Sequence, residues 1–210
     1  VLNAEQAPTR TAIARRDGAG WSSMSAADFL ADVQAVARGL VAAGLEPGER
    51  IGIMSRTRYE WTLVDYAIWY AGGVGVPIYE TSSAEQVEWI LGDSGAMGVF
   101  LESDKHRDVF GDVSDRLPGV RHAWVFDDDA IGTLRTLGAD VDPAALEARR
   151  AAVTPDDTAT IIYTSGTTGR PKGCVLTHGN FMFEVTTVIE GLPELFSVKD
   201  SSTLLFLPLA

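Results

Sequence analysis

Short apolar runs alternate with helical patterns along most of the chain, and this alternation limits the possible folds more than any other feature. Clear runs are Arg50–Met54, Val74–Tyr79 and Met97–Leu101. The segments between such runs contain predicted helices of about 10–15 residues, whose apolar side chains recur at helical spacing. Runs this short and apolar are typical of strands buried on both faces. We therefore predict an α/β fold with a mostly parallel sheet flanked by helices.

Turn and capping residues set the predicted element bounds. Ser25 with Asp28, and Ser83 with Gln86, have the spacing of helix N-caps, and Gly44 marks a helix end. The predicted helices run from Ser25 to Gly44, Tyr59 to Ala71, Ser83 to Leu91, Asp104 to Leu117 and Gly179 to Gly191, with one or two more in Ala130–Thr154. Further predicted strands are Thr11–Arg15, Trp21–Met24, Arg121–Phe126, Thr158–Thr164, Gly173–Thr177 and Ser202–Leu207. The connection between the strands ending at Thr164 and starting at Gly173 is too short for a crossover, so we expect that pair to be antiparallel.

The charge balance argues against several classes of partner. Asp and Glu outnumber Lys and Arg by 29 to 17, which gives a net charge of −12. A chain this acidic repels phosphate backbones, so we expect no nucleic-acid partner. No apolar run reaches the ~18 residues of a membrane span, so we expect no transmembrane segment. The single cysteine, Cys174, excludes an intrachain disulfide and favours a reducing, cytoplasmic setting.

The segment Tyr163–Gly173 is the strongest candidate site. Its glycines allow backbone N–H groups to approach an anion, its Ser and Thr hydroxyls add donors, and Arg170 and Lys172 add positive charge. This composition predicts a loop that holds a polyphosphate. The glycine spacing excludes a Walker A loop, and Tyr163 stands where a nucleophile elbow around Ser165 needs its first glycine. The alternative on composition alone is a flexible polar hairpin.

Thr164–Gly173 resembles the phosphate loop of adenylate-forming (AMP-binding) enzymes, which include acyl-CoA synthetases, luciferases and peptide-synthetase adenylation domains. The following residues, Val175–Asn180, are similar to that family as well. Three earlier segments resemble its long-chain fatty acyl-CoA synthetase branch: Gly44–Ile51, Trp61–Asp65 and Val74–Gln86.

The resemblance implies an ATP-dependent long-chain fatty acid–CoA ligase. In that reaction a fatty acid carboxylate attacks the α-phosphorus of ATP, and coenzyme A then displaces AMP from the acyl-adenylate. The resemblance implies that the ATP phosphates are bound by Thr164, Ser165, Gly166, Thr167, Thr168, Gly169 and Lys172. Thr164 is also the candidate for a hydroxyl near Mg²⁺, although it could simply end the strand. Lys172 would act as a mobile counter-charge, and Arg170 is expected to contact solvent.

The resemblance places residues 1–210 in the N-terminal part of the family's AMP-binding domain. The family's adenine-binding, ribose-binding and catalytic lysine motifs follow later, so we expect no catalytic residue here and an inactive isolated chain. Two alternatives stay open: a stand-alone non-catalytic binding or interaction module, and another acyl- or aryl-CoA ligase or adenylation domain. Apolar residues near the C-terminal end allow a homodimer, and peripheral membrane contact is also open.

Other candidate groups have structural explanations. Cys174 and His178 could share a metal, but a strand and turn do not place them on one helical face, and Cys174 is expected to pack as a small apolar residue. His106 and His122 are expected at the surface. The acidic run Asp127–Asp129 is expected to be a solvated loop, since no further ligand stands at metal-binding spacing.

Overall fold

The strands of the computed structural model form one large and one small sheet, in a chain described over residues 1–164, 170–196 and 202–205. The strands are β1 (Thr11–Asp17), β2 (Gly20–Ser25), β3 (Arg50–Met54), β4 (Val74–Ile78), β5 (Ala96–Leu101), β6 (His122–Val125), β7 (Thr158–Thr164) and β8 (Lys172–Thr177). β1 and β2 form an antiparallel hairpin, and the large sheet has the order β6-β5-β3-β4-β7-β8. Its strands are parallel except β8, which is antiparallel to β7. The predicted α/β fold with a mostly parallel sheet is confirmed.

Helices cover the large sheet, and the capping residues predicted from sequence begin two of them. The helices are α1 (Leu2–Gln6), α2 (Ala26–Ala42), α3 (Tyr59–Tyr70), α4 (Ala84–Ser94), α5 (Asp104–Ser114), α6 (Ala130–Leu137), α7 (Pro143–Ala152), α8 (His178–Gly191) and α9 (Pro193–Phe196). The Ser25 side chain accepts a hydrogen bond from the Asp28 N–H at 3.1 Å. Ser83 and Gln86 form a reciprocal capping box at the start of α4.

The core consists of two apolar clusters, and residues of β3 alternate between them. Ile51 and Ile53 belong to the cluster that contains α2 and α3 residues, whereas Met54 belongs to the cluster of α4 and α5 residues. Gly52 lies under α4, where an added Cβ would come within 2.7 Å of Leu91 Cδ2. The alternation follows from the two-residue period of a strand, and it puts α3 and α4 on opposite faces of the sheet.

Four sequence expectations are corrected by the structure. Cys174 is exposed, because β8 is the edge strand of the sheet. His106 is buried, and its Nε2 donates to the carbonyl of Glu80, which is distant in sequence, at 3.1 Å. His122 is half-buried, with Nε2 2.9 Å from the Ala43 carbonyl. Residues 202–205 form neither a helix nor a strand, and the rest of the strand predicted at 202–207 lies outside the described residues.

No helix in residues 1–164, 170–196 and 202–205 combines the length and apolar character that crossing a bilayer requires.

Candidate functional site

The carboxyl ends of β3, β4, β5 and β7 meet at one edge of the sheet, because these strands are parallel. After β3 the chain enters α3 on one face, and after the neighbouring β4 it enters α4 on the other face. Such a point of divergence leaves a crevice outside the strand ends, which is where open α/β sheets bind ligands. Thr164, the last residue of β7, lies at this edge.

Hydrogen bonds between loops fix the same edge. The carboxylate of Glu102, directly after β5, accepts from the Arg56 backbone N–H at 2.9 Å and from the Ser55 hydroxyl at 3.2 Å. Arg56 Nε also lies 2.8 Å from the other oxygen of Glu102. These contacts join the loops that follow β3 and β5 and fix their positions at the edge of the sheet.

The β7–β8 hairpin carries the predicted phosphate-binding segment. Thr164 and Lys172 are exposed and face each other as partners in the antiparallel ladder. The structure therefore brings together one hydroxyl and one ammonium group, a pair suited to an anion. The exposed Thr164 hydroxyl is also a neutral oxygen of the kind that Mg²⁺ accepts, so its chemistry fits the metal role expected for it. The other predicted residues lie outside the described residues: Ser165, Gly166, Thr167, Thr168 and Gly169.

The first arm of the hairpin is bonded to α4 through Tyr163. The Tyr163 ring is buried in the cluster of α4 and α5 residues, and its hydroxyl donates to Asp93 Oδ2 at 2.6 Å. Burial raises the pKa of the Tyr163 hydroxyl well above its usual value, and the bond to Asp93 raises it further. The hydroxyl therefore stays protonated and remains a donor at physiological pH.

The second arm is bonded to α4 through Trp89. The indole N–H of Trp89 donates to the Pro171 carbonyl at 2.8 Å. The Arg170 guanidinium carbon lies 4.7 Å from the centre of the Trp89 ring, within range of a cation–π interaction. Arg170 is exposed, as expected. Sequence reasoning missed Trp89 and Asp93, although their four-residue separation was a signal that they share one helix face.

A groove beside α4 is lined by two arginines, Arg116 and Arg170, and by three carboxylates, Glu85, Glu88 and Asp93. Its walls also include Trp89. Arg116 pairs with Glu88 at 2.8 Å and, as the largest influence, lowers the pKa of that carboxyl, while Arg170 adds a smaller electrostatic contribution. Pro171, in the second arm of the hairpin, lines this groove together with Arg170.

The other groups weighed from sequence have structural partners. Asp127 pairs with Arg58 at 3.0 Å and Asp128 pairs with Arg107 at 2.7 Å, while Asp129 caps α6. All three carboxylates are exposed, as expected, but Phe126–Asp128 form a short 3-10 helix instead of a loop. Within the described ranges, no group of three or more His, Cys, Asp or Glu residues is placed to hold a metal ion.

Comparisons with known proteins agree with this geometry. The family model of the AMP-binding enzyme matches residues 2–210. The chain is 45% identical over 193 residues to the long-chain-fatty-acid–CoA ligases FadD15 of Mycobacterium bovis and Mycobacterium tuberculosis, covering 90% of this chain and 32% of each relative. It thus spans about a third of the length of these curated relatives. Among solved structures, a long-chain-fatty-acid-CoA ligase (FadD1) from Archaeoglobus fulgidus superposes with a TM-score of 0.74 at 25% identity, covering 90% of this chain and 37% of that one.

Proposed function

The chain belongs to the AMP-binding enzyme family, and on that premise we propose that residues 1–210 form the N-terminal part of the adenylation domain of an ATP-dependent long-chain fatty acid–CoA ligase. The observation that carries the proposal is the hairpin with Thr164 and Lys172 at the carboxyl edge of the sheet. The identity to long-chain ligases supports the choice of substrate class.

The first half-reaction requires two anions to meet. A fatty acid carboxylate oxygen attacks the α-phosphorus of ATP, the bond from that phosphorus to the bridging oxygen breaks, and pyrophosphate leaves with the electron pair. Fixed donors and positive charge offset the repulsion and stabilise the leaving group. The Thr164 hydroxyl and the Lys172 ammonium would supply part of this stabilisation. The remaining proposed phosphate-binding residues are Ser165, Gly166, Thr167, Thr168 and Gly169.

Mg²⁺, when bound, would supply further charge compensation on the phosphate oxygens. The Thr164 hydroxyl is the oxygen on this part of the chain that we propose to hold it. In the second half-reaction the thiol sulfur of coenzyme A attacks the acyl carbonyl carbon, and AMP leaves. We propose no residue of 1–210 as a catalytic group in either step. The single cysteine fits a reducing compartment, and we propose a cytoplasmic enzyme.

The experiment is a substrate panel with the polypeptide encoded by the complete reading frame. The protein is incubated with ATP, Mg²⁺ and coenzyme A, and AMP and acyl-CoA are measured with hexadecanoate, octanoate and 4-hydroxycinnamate. We expect the highest kcat/KM with hexadecanoate. Thioester formation only with 4-hydroxycinnamate would contradict the fatty acid assignment. Failure to form AMP with any acid would support the alternative of a non-catalytic module.

A further inference from the structure

One face of α4 contacts both arms of the β7–β8 hairpin. Trp89 and Asp93 are four residues apart and therefore lie on the same side of the helix. Asp93 accepts from Tyr163, the residue before Thr164, at 2.6 Å. Trp89 donates to Pro171, the residue before Lys172, at 2.8 Å. Residues 164–172 are called the hydroxyl-rich segment below, and each arm is held directly beside one end of it.

We propose that α4 is a clamp in which Trp89 and Asp93 are positioning residues for ATP binding. They hold the two arms of the hairpin in place, so that Thr164 and Lys172 present their donors to the phosphates in a fixed orientation. The proposal rests on the proposed function, because the phosphates are those of the ATP substrate. It assigns a task to two side chains that lie outside the hydroxyl-rich segment itself.

Local packing makes the contact with the first arm specific. Gly173 lies opposite Tyr163 in the ladder. A Cβ added at Gly173 would come within 2.8 Å of Ile161 Cγ2 and 3.2 Å of Tyr163 Cζ. A larger residue at 173 would therefore crowd both Ile161 and the Tyr163 ring, and glycine leaves room for the ring beside β8.

The clamp is mounted on a rigid element. The capping box of Ser83 and Gln86 fixes the start of α4, and Val87 and Leu91 anchor the helix in the core. Donors that are held in place before binding lose less conformational entropy when the ligand arrives. Loosening the clamp should therefore raise the KM for ATP and leave the KM for the carboxylic acid unchanged.

The test measures the KM values for ATP and for hexadecanoate separately, in full-length variants. Trp89→Phe removes the indole N–H but keeps a ring beneath Arg170, and Tyr163→Phe removes only the hydroxyl. We expect each to raise the KM for ATP about threefold to tenfold, the range for one lost hydrogen bond. The KM for hexadecanoate should not change. Asp93→Ala should raise the KM for ATP as much as Tyr163→Phe does, and combining the two should raise it no further. Asp93→Asn should keep the wild-type KM, because its amide oxygen still accepts the hydrogen bond.

Two matched controls lie on α3, away from the ends of the hairpin arms at Tyr163 and Pro171; one of them bonds to the far end of the first arm. The indole N–H of Trp69 donates to the Ala159 carbonyl at 2.7 Å, so Trp69→Phe removes the same type of bond as Trp89→Phe. The Tyr70 hydroxyl donates to Glu147 and accepts from Gln34, both at 2.9 Å, so Tyr70→Phe removes the same group as Tyr163→Phe and one more hydrogen bond. Both controls should leave the KM for ATP unchanged.

A second measurement requires no activity. Trypsin can cleave the hairpin after Lys172 but not after Arg170, because Pro171 follows. Trp89→Phe should speed the appearance of the fragment that begins at Gly173 at least about threefold, since the arm opens more often. The clamp proposal is wrong if the wild type is active and neither Trp89→Phe nor Tyr163→Phe changes the KM for ATP or the cleavage rate. Wild-type protein that forms no adenylate would instead contradict the proposed function.

Discussion

At the scale of single residues, Asp65 has the most unusual environment. It lies on α3 above β4, where a Cβ added at Gly75 would come within 2.8 Å of its Oδ1. Burial alone raises the pKa of the Asp65 carboxyl to about 7. The pKa of the adjacent Tyr66 is raised by the burial of its own side chain and then by the Asp65 charge. Asp65 ends the segment Trp61–Asp65, which resembles the long-chain branch of the family. The burial of Asp65 depends on a neighbouring strand and could not be predicted from the local pattern.

The raised pKa of Asp65 predicts a specific pH dependence of stability. The folded state holds the proton more tightly than the unfolded state, whose pKa is near 3.8. This contribution to the free energy of unfolding is therefore complete below about pH 4 and is lost as the pH rises through about 7, by up to about 4 kcal/mol. Asp65→Asn should abolish this loss and stabilise the protein at pH 8.

Urea unfolding of wild type and Asp65→Asn at pH 5, 6, 7 and 8 measures the effect. The exposed Asp140 supplies the control variant Asp140→Asn, which should keep the wild-type pH profile. Parallel profiles for wild type and Asp65→Asn would show that the buried carboxyl does not titrate as described.

At the scale of elements, glycine sets the distance between α2 and α6. A Cβ added at Gly39 would overlap the backbone carbonyl of Leu134 on α6, and one added at Gly138 would overlap the backbone of α2 at Gly39. The two helices therefore meet backbone to backbone. In α5, by contrast, a Cβ at Gly111 would meet no atom within 4 Å.

These surroundings predict opposite effects for the same substitution. Gly39→Ala should lower the free energy of unfolding by about 1–3 kcal/mol, because α2 and α6 must separate. Gly111→Ala should raise it by about 0.5–1 kcal/mol through better helix propensity alone. Chemical denaturation of the two variants beside wild type gives both values. A Gly39→Ala variant as stable as Gly111→Ala would disprove the close helix contact.

Element types were predictable where local chemistry decides them. The Ser83 capping box and the β7–β8 hairpin follow from nearby residues, and both are present. Ends were less predictable: α4 continues past Leu91 to Ser94 and stops at Gly95, whose φ is +63°. The strand predicted at 202–207 is absent over 202–205, because a strand also needs a partner, which the local pattern cannot supply.

At the scale of the whole molecule, the contacts of the candidate site join distant parts of the chain. Tyr163 and Asp93 are 70 residues apart, and Trp89 and Pro171 are 82 residues apart. They meet because β4 and β7 are neighbours in the sheet although they are far apart in sequence. The hydroxyl-rich segment was identifiable from its composition, whereas the helix that holds it emerged only from the strand order.

The central claim is that the segment between β7 and β8 binds the phosphates of ATP. Its most direct test is hexadecanoate-dependent exchange of labelled pyrophosphate into ATP by the full-length protein. The test variant replaces the segment's hydroxyls and lysine in five substitutions: Thr164→Ala, Ser165→Ala, Thr167→Ala, Thr168→Ala and Lys172→Met. We predict exchange by the wild type and a decrease of at least about a hundredfold in a variant with an unchanged circular dichroism spectrum. Exchange at the wild-type rate in this variant would contradict the account.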